Sequence, residues 1–526
     1  MHFEPYDYAR VATSNDLGVR YIADFPRVES FYASDYASPQ ALSTHALKLL
    51  NRTWRSRYDR NATADLLDAY ARGHGAPAPV LENIARLRDK TTVCVMTGQQ
   101  AGLGGGPLFF LYKAVTAIRL ADELERVGGV PVVPVFWNAS DDSDIEEVNR
   151  FRSIADGKLQ RFRFNLESGR RPVRDVRLPE RKDPQWEKLF ALLPEGPGKS
   201  RARLWLEHAA GQDFGSAFTE LVLDLLSARG LVVVEPKALT SHPDWKRILA
   251  LEIDQRDVHR LAMRRVSDRL ESMGFSAGVP VTNQVNLFQV VDGERRRIVS
   301  EGTKLVVDGV HGTTTKSALI AALRKDPAAF TPNVLLRPVV QNAIFPTVAY
   351  VGGPAEIAYH AVLKPLHRSA EVFMPALFPR MSITLLEKGD PFSEVLAFRS
   401  KLKWRQTEAD ILFASAENHL HADFAQLRAD LQGLARPMEA ELAKFEKRSS
   451  RSVASVRHKV QHEPLDISKG GREMQALLAR YFPDGNAQER ELTFAGEYAR
   501  RGDSLIEVPF QHPNIFDFRH FAVKPT

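Results

Sequence analysis

Apolar side chains recur at helical spacing over 39–53, at Leu42, Ala46 and Leu49, and over 62–88, at Leu66, Leu67, Tyr70, Ile84 and Leu87. Both stretches predict amphipathic helices. Gly73–Pro79 (GHGAPAP) interrupts the second and predicts a break between two helices. The period changes at residue 91. Thr91–Met96 (TTVCVM) is a short β-branched run, which predicts a buried strand. The glycine-rich stretch Thr97–Gly106 (TGQQAGLGGG) follows, and Pro107 opens a helix to about Val127, with Leu108, Leu111, Val115, Ile118 and Leu124 on one stripe. Proline suits a first helical turn, where its missing N–H costs nothing. Val130–Trp137 (VPVVPVFW) predicts a second buried strand, ending in the acidic run Asn138–Asn149 (NASDDSDIEEVN). Strand, loop, helix, strand is the start of a doubly wound α/β domain.

Residues 150–215 are polar and rich in Arg and Pro, with a weak strand signal at Arg161–Leu166, and read as an insertion. Helical periodicity returns over 216–228, and Leu231–Val234 predicts a third buried strand. A helix over 247–273, strands around 286–291 and 297–299, and a helix near 316–324 follow. Phe345–Tyr359 (FPTVAYVGGPAEIAY) repeats the earlier logic of apolar strand, glycine turn and helix, and Val372–Arg380 is another strand-to-loop step. Over 420–460 the apolar residues Leu427, Leu431, Leu434, Met438, Leu442 and Phe445 are spaced 4, 3, 4, 4, 3, close to a heptad seam, with Pro437 as a kink or break. The seam predicts a homodimer through 420–460. The aromatic-rich Tyr21–Tyr32 predicts packing against a later domain. The division expected is a helical lead-in over 1–90, a core over 91–395 with insertions at about 150–215 and 255–330, and a coiled-coil region and tail over 396–526.

Composition narrows the classes. The 526 residues are 44% hydrophobic and 26% charged, ordinary for a globular protein. At roughly 150 residues per domain this is three or four domain-sized units. No apolar stretch is long enough for a transmembrane helix, and the start, MHFEPYDYAR, has no secretory h-region, so a cytoplasmic protein with no membrane partner is expected. The net charge, 71 − 65 = +6, is too dilute to point to nucleic acid. One cysteine, Cys94, excludes an internal disulfide and a cysteine-cluster metal site, and its apolar strand makes it an inert core thiol.

Two stretches carry candidate chemistry. Five of the ten residues 97–106 are glycine, between a strand and a helix start, where free backbone N–H groups and the helix dipole favour an anion. No strict G-x-G-x-x-G is present, so NAD is not favoured, and GPGKS at 196–200 is no P-loop because its first glycine would fall at Leu193. The carboxylates Asp141, Asp142, Asp144, Glu146 and Glu147 follow a strand end, where open α/β sheets place their sites. They suit an amine, a hydrated cation or acid–base work, although no dedicated metal site is evident. Tyr350 and Tyr359 read as packing more than chemistry, and His360 and His367 as solvated or capping residues.

TGQQAGLGGGPLFFLYKA (97–114), PVFWNASDDSDIEEVN (134–149), RPVVQNAIFPTVAYVGGPAEIAY (337–359) and MPALFPRMSITLLE (374–387) together resemble the bacillithiol-biosynthesis cysteine-adding enzymes, with weaker matches at YIADFPRVESFY (21–32) and AQER (487–490). The resemblance covers nearly the whole chain. It implies a Rossmann-like core related to class I nucleotidyltransferases, with connecting-peptide insertions and a dimerising C-terminal coiled coil. It implies a ligase that joins cysteine to glucosaminyl-malate, with ATP as the activating cosubstrate by analogy of fold. The site so implied has Asp141, Asp142 and Asp144 as catalytic residues. Thr97, Gly98, Gln99, Gln100, Gly102, Ser140, Asn149, Tyr350, Gly352, Gly353, Glu356 and Arg380 are its substrate or nucleotide contacts, Arg380 meeting an anion. The family's acidic motif usually reads Glu-Asp-His-Asp. Here Ser143 stands in the histidine's place and cannot act as a base near neutral pH. That departure leaves an alternative, a dimeric metabolite-binding or scaffold member without activity.

Overall fold

The computed structural model describes residues 1–12, 16–155, 157–301, 304–400, 420, 422–428, 436–462 and 471–524. The chain divides into one unit of Met1–Lys388 with Tyr481–Thr526, and another of Gly389–Arg480.

The first unit is built on a five-stranded sheet. Its strands are β1 (Val93–Gln99), β2 (Val132–Asn138), β3 (Val232–Val234), β4 (Thr347–Gly352) and β5 (Ala376–Pro379). All neighbours run parallel, in the order β5-β4-β1-β2-β3. The β-branched runs form strands because branched side chains pack well on a pleated surface covered on both sides. Every residue of β2, β3, β4 and β5 is buried accordingly. The helix Phe109–Gly128 returns the chain from β1 to β2, ending at Gly129 in the left-handed conformation that a residue with a Cβ resists. This is the expected Rossmann-like architecture. From β1 the chain winds outward through β2 and β3, then crosses to β4 on the other side of β1. The strand order therefore reverses between β1 and β4, and the crevice outside their carboxyl ends is where such sheets bind ligands.

Three further parts frame that crevice. The lead-in packs its aromatic residues onto the β5 side. Tyr21 donates to the Leu377 carbonyl at 2.7 Å, Tyr32 to Ile357 at 3.1 Å, and Tyr36 to Tyr21 at 2.8 Å. A four-stranded antiparallel sheet orders Phe330–Pro332, Gln284–Val291, Glu294–Glu301 and Lys304–Val307 beside the helix Pro243–Ser272. His520–Lys524 pairs antiparallel with His2–Tyr6 and parallel with Ser382–Leu385. In the 150–215 region the strand signal moves. The hairpin is Phe151–Ala155 with Lys158–Phe162, and the apolar residues read at 161–166 extend past it.

His360 and His367 correct an expectation: they are not solvated but 0% and 2% exposed. The His360 ring, at the end of the buried helix Pro354–His360, bonds the Glu356 carbonyl, and the His367 ring, in the helix Lys364–Ser369, bonds the Leu363 carbonyl and lies 3.1 Å from Asn342 Nδ2.

In the Gly389–Arg480 unit, Arg436–His462 is one helix and Pro437 is its second residue, so the proline starts the helix rather than kinking it. Phe424 meets Phe445 edge-on at 5.8 Å, and Arg428 pairs with Glu446. Leu431 and Leu434 of the proposed seam lie outside the described residues.

Candidate functional site

A cavity of about 810 Å³ opens at the carboxyl ends of β1 and β4. Its wall includes Gly98 and Gln99 from β1 and Gln100 just after it, Asp141 and Asp142 from the loop after β2, and Tyr350, Gly353 and Glu356 from β4 and the turn and helix that follow. Arg295, Arg337, Arg380 and Arg490 also line it, with Lys113, Glu147, Arg260 and Arg297.

The two sides of the crevice are pinned together. Thr97 donates to the Val351 carbonyl at 2.9 Å, behind the cavity wall. Lys113 Nζ lies 2.6 Å from Glu356 Oε2 and donates to the Gly98 carbonyl at 2.9 Å and to Gln99 Oε1 at 3.0 Å. Glu356 also accepts from Tyr350 Oη and the Gly353 N–H, both at 2.9 Å. Burial pushes its pKa up, but Lys113 and these donors outweigh that and hold it below the usual value. Residue 98 must be glycine, because a Cβ there would sit 2.8 Å from the Trp137 carbonyl.

The loop after β2 is braced from behind. Ser140 Oγ donates to Glu235, which also accepts from Tyr70 Oη at 2.8 Å. Burial raises the Glu235 carboxyl. Asn138 Nδ2 donates to the Gly215 carbonyl and to Thr219, both at 2.9 Å. Asp142 accepts from Arg295 at 3.0 Å, Gln100 at 2.9 Å and the Ser143 N–H at 2.7 Å. Burial raises its pKa, but Arg295 and these donors outweigh it and bring the net value down. Arg295 is held in turn by Thr331 and the Pro332 carbonyl. Asp141 differs. It is 3% exposed, and its Oδ2 has no hydrogen-bond partner among the described residues. Burial raises its pKa, against the pull of Arg295, Arg174 and Arg337.

Six anticipated site residues, Thr97, Gly102, Ser140, Asp144, Asn149 and Gly352, do not line the cavity. Asp144 caps the short helix Ile145–Val148 by accepting from the Glu147 N–H at 3.0 Å, exposed and off the cavity. Asn149 is buried and spent on Phe164, donating at 2.7 Å and accepting at 3.1 Å. Ser140 and Thr97 brace the wall without lining it, and the Gly352 carbonyl accepts from the Arg380 N–H at 3.0 Å. Arg380 lines the cavity but gives its guanidinium to Glu489 Oε1 at 2.7 Å and to the Met381 carbonyl at 2.8 Å.

The glycine stretch also divides. Gln99 and Gln100 line the cavity, whereas Gly102 and Gly104–Gly106 do not. Those glycines lie under residues 492–495. The Phe494 N–H donates to the Gly106 carbonyl at 2.8 Å and the Leu108 N–H to Leu492 at 2.9 Å. A Cβ at Gly105 would meet Phe494 at 3.0 Å and one at Gly104 would meet Ala495 at 3.1 Å. The helix start expected to face an anion is covered by the chain itself.

Lys113, Arg337 and Arg490 lie inside the quoted motifs 97–114, 337–359 and 487–490, but the sequence gives them no role there, whereas Arg295 and Glu235 belong to no motif. Lys113 left a signal of its own, a lone charge inside the apolar run FFLYKAVTAI. Among the described residues no group of three His, Cys, Asp or Glu is placed to hold a metal, and no helix is long and apolar enough to cross a membrane.

Comparison with known proteins agrees along the whole length. Residues 1–381 match the family model "Bacillithiol biosynthesis BshC, N-terminal Rossmann-like domain", and residues 380–525 match "Bacillithiol biosynthesis BshC, C-terminal coiled-coil domain". A relative from Geobacillus kaustophilus is 30% identical over 80% of this chain and 79% of its own. One from Geobacillus thermodenitrificans is 31% identical over the same shares, and one from Symbiobacterium thermophilum is 29% identical over 97% of this chain and 98% of its own. All three carry the name "Putative cysteine ligase BshC". The Rossmann-like sheet, the order of its motifs and these full-length matches have one reading: the chain belongs to the BshC family of bacillithiol biosynthesis.

Proposed function

We propose that this chain is a cysteine ligase that joins the cysteine carboxyl group to the amine of glucosaminyl-malate, the last step of bacillithiol synthesis. The observation that carries the site assignment is the unpartnered Asp141 Oδ2, a buried carboxylate oxygen in a cavity whose half-buried carboxylates Asp142 and Glu356 are held by Arg295 and Lys113. An amine placed at Asp141 satisfies that oxygen, and a carboxylate with a raised pKa is a better proton acceptor than an ordinary one. A carboxylate does not acylate an amine unaided. ATP supplies the activation, giving cysteinyl-adenylate and pyrophosphate. The amine nitrogen then bonds to the acyl carbon, AMP leaves, and the amine proton passes to Asp141. Gln99, Gln100, Tyr350 and Gly353 shape the wall against which the two substrates meet. Asp142 and Glu356 fix that wall, and Asp144 acts only through the helix it caps.

The test is direct. Purified protein with cysteine, glucosaminyl-malate and ATP is assayed by mass spectrometry for the condensed thiol and for AMP. Product from the wild type and its loss in Asp141→Asn support the reading. No product in vitro, together with an unchanged thiol pool in cells lacking the chain, sinks it.

A further inference from the structure

Five of the cations that line the cavity fall into two groups. Lys113, Arg295 and Arg380 each face a carboxylate of the chain: Glu356 at 2.6 Å, Asp142 at 3.0 Å and Glu489 at 2.7 Å. Arg337 and Arg490 also line the cavity, but neither has a carboxylate at ion-pair distance among the described residues. Arg337 has only the Tyr359 hydroxyl, to which it donates at 3.1 Å. Arg490 has no side-chain hydrogen-bond partner among the described residues, and it sits close enough to Arg380 for repulsion to act on it. Both residues are half-buried. Burial and the neighbouring Arg380 lower the Arg490 pKa, a cost that an oxyanion from outside removes. At Arg337 burial is outweighed by Tyr359, Tyr350, Asp141 and Glu356, which keep its charge in place on the wall.

Arg490 is also delivered with care. Its neighbour Glu489 accepts from Arg380, from Ser382 Oγ at 3.1 Å and from the Ile383 N–H at 2.9 Å. Gln488 Oε1 accepts from the Leu385 N–H at 2.9 Å. Just beyond, residues 492–495 lie on Gly104–Gly106. The glycine stretch is thus a platform for the segment that carries Arg490, which is why it needs no side chains of its own there.

We propose that Arg337 and Arg490 are the anion-binding residues of this cavity and that they take the oxyanions of a polyanionic ligand, carboxylates or phosphates. The planar guanidinium fork matches both groups. The inference deepens the ligase reading, since it assigns a different part of the same cavity, but its test does not depend on turnover. Two probes carry the two chemistries without an amine or a nucleoside: malate and inorganic pyrophosphate. Their binding is measured by calorimetry on the full-length protein, Arg337→Gln, Arg490→Gln and the double variant, with thermal melting to check folding. The expected result is wild-type binding of at least one probe, weakened at least tenfold by each substitution. Loss confined to malate assigns carboxylates, and loss confined to pyrophosphate assigns phosphates. Arg490→Lys, which keeps the charge without the fork, recovers part of the loss. If Arg337→Gln does not fold, Arg490→Gln decides alone. Wild type that binds neither probe, or folded variants that bind as wild type does, overturns the anion site while leaving the thiol-forming assay to judge the ligase reading.

Discussion

Asp141 and Asp142 are neighbours in sequence with opposite surroundings, and their amides should behave differently. Asp142→Asn takes the counter-charge from Arg295, but the Asp142 side chain is 36% exposed and Asn still accepts a hydrogen bond, so it should cost about 1–2 kcal/mol of stability, read from denaturant unfolding. Asp141→Asn removes a carboxylate whose Oδ2 holds nothing, so stability should be unchanged or higher. Its effect should fall on the amine substrate, raising KM by about tenfold to a hundredfold, the scale of a charged hydrogen bond at about 1.5–3 kcal/mol. The pH dependence follows in sign. Burial raises the Asp141 pKa, so its carboxylate is lost as pH falls through that raised value, and turnover should fall with it. The acid limb should be absent in the residual activity of Asp141→Asn. An identical limb in both proteins would assign it to another group.

At the scale of elements, the stretch 97–106 acts as two pieces. Its first residues continue β1 into the cavity wall, and its glycines receive the segment 492–495. A Cβ at Gly102 would lie 2.6 Å from the Gly106 Cα, which is backbone and cannot swing aside. Gly105 adopts φ +90°, where a side chain is also strained. Gly102→Ala and Gly105→Val should each cost on the order of 1–3 kcal/mol through overpacking and backbone strain. Gly105→Val should in addition weaken malate or pyrophosphate binding, because it lifts the segment bearing Arg490. Binding equal to wild type in a folded Gly105→Val would separate the platform from the anion site. The helix Arg436–His462 keeps Phe445 and Val456 62% and 50% exposed, which is more apolar surface than a solvated helix needs. Phe445→Asp with Val456→Asp should convert a dimer to a monomer in light scattering. A monomeric wild type at micromolar concentration would count against pairing through this helix.

Across the larger unit, His45, His360, His367 and His512 are at most 4% exposed, and burial lowers each pKa from 6.5 to about 4. Between those values the unfolded chain binds protons that the folded chain refuses. Stability therefore rises with pH over that window and is lost as pH falls from 6.5 toward 4. Each ring contributes up to about 3 kcal/mol, at about 1.4 kcal/mol for every tenfold loss of proton affinity on folding. The melting temperature should drop steeply over this range, before most carboxylates titrate. A flat melting temperature from pH 6.5 to 4.5 would mean that the rings are not held neutral by burial.

Local pattern is enough to set the strands β1, β2 and β3, the helix between the first two, and the place of the ligand crevice. The signals are β-branched runs that only a covered sheet can use, a glycine break after β1, and a second glycine turn after β4. The motifs that carry the family resemblance include many of the residues that line the crevice. What each charged group can do is settled only on folding. Asp142 is neutralised by Arg295, Arg380 by Glu489 and Glu356 by Lys113, and every one of these pairs joins separate segments of the chain. Asp141 Oδ2 has no hydrogen-bond partner, and Arg337 and Arg490 have no carboxylate at ion-pair distance, among the described residues. Periodicity is written into neighbouring residues, whereas charge pairing depends on which distant segments folding brings together, so the carboxylates 141 and 142 look alike on paper and become different groups once β2 and the sheet around Arg295 meet.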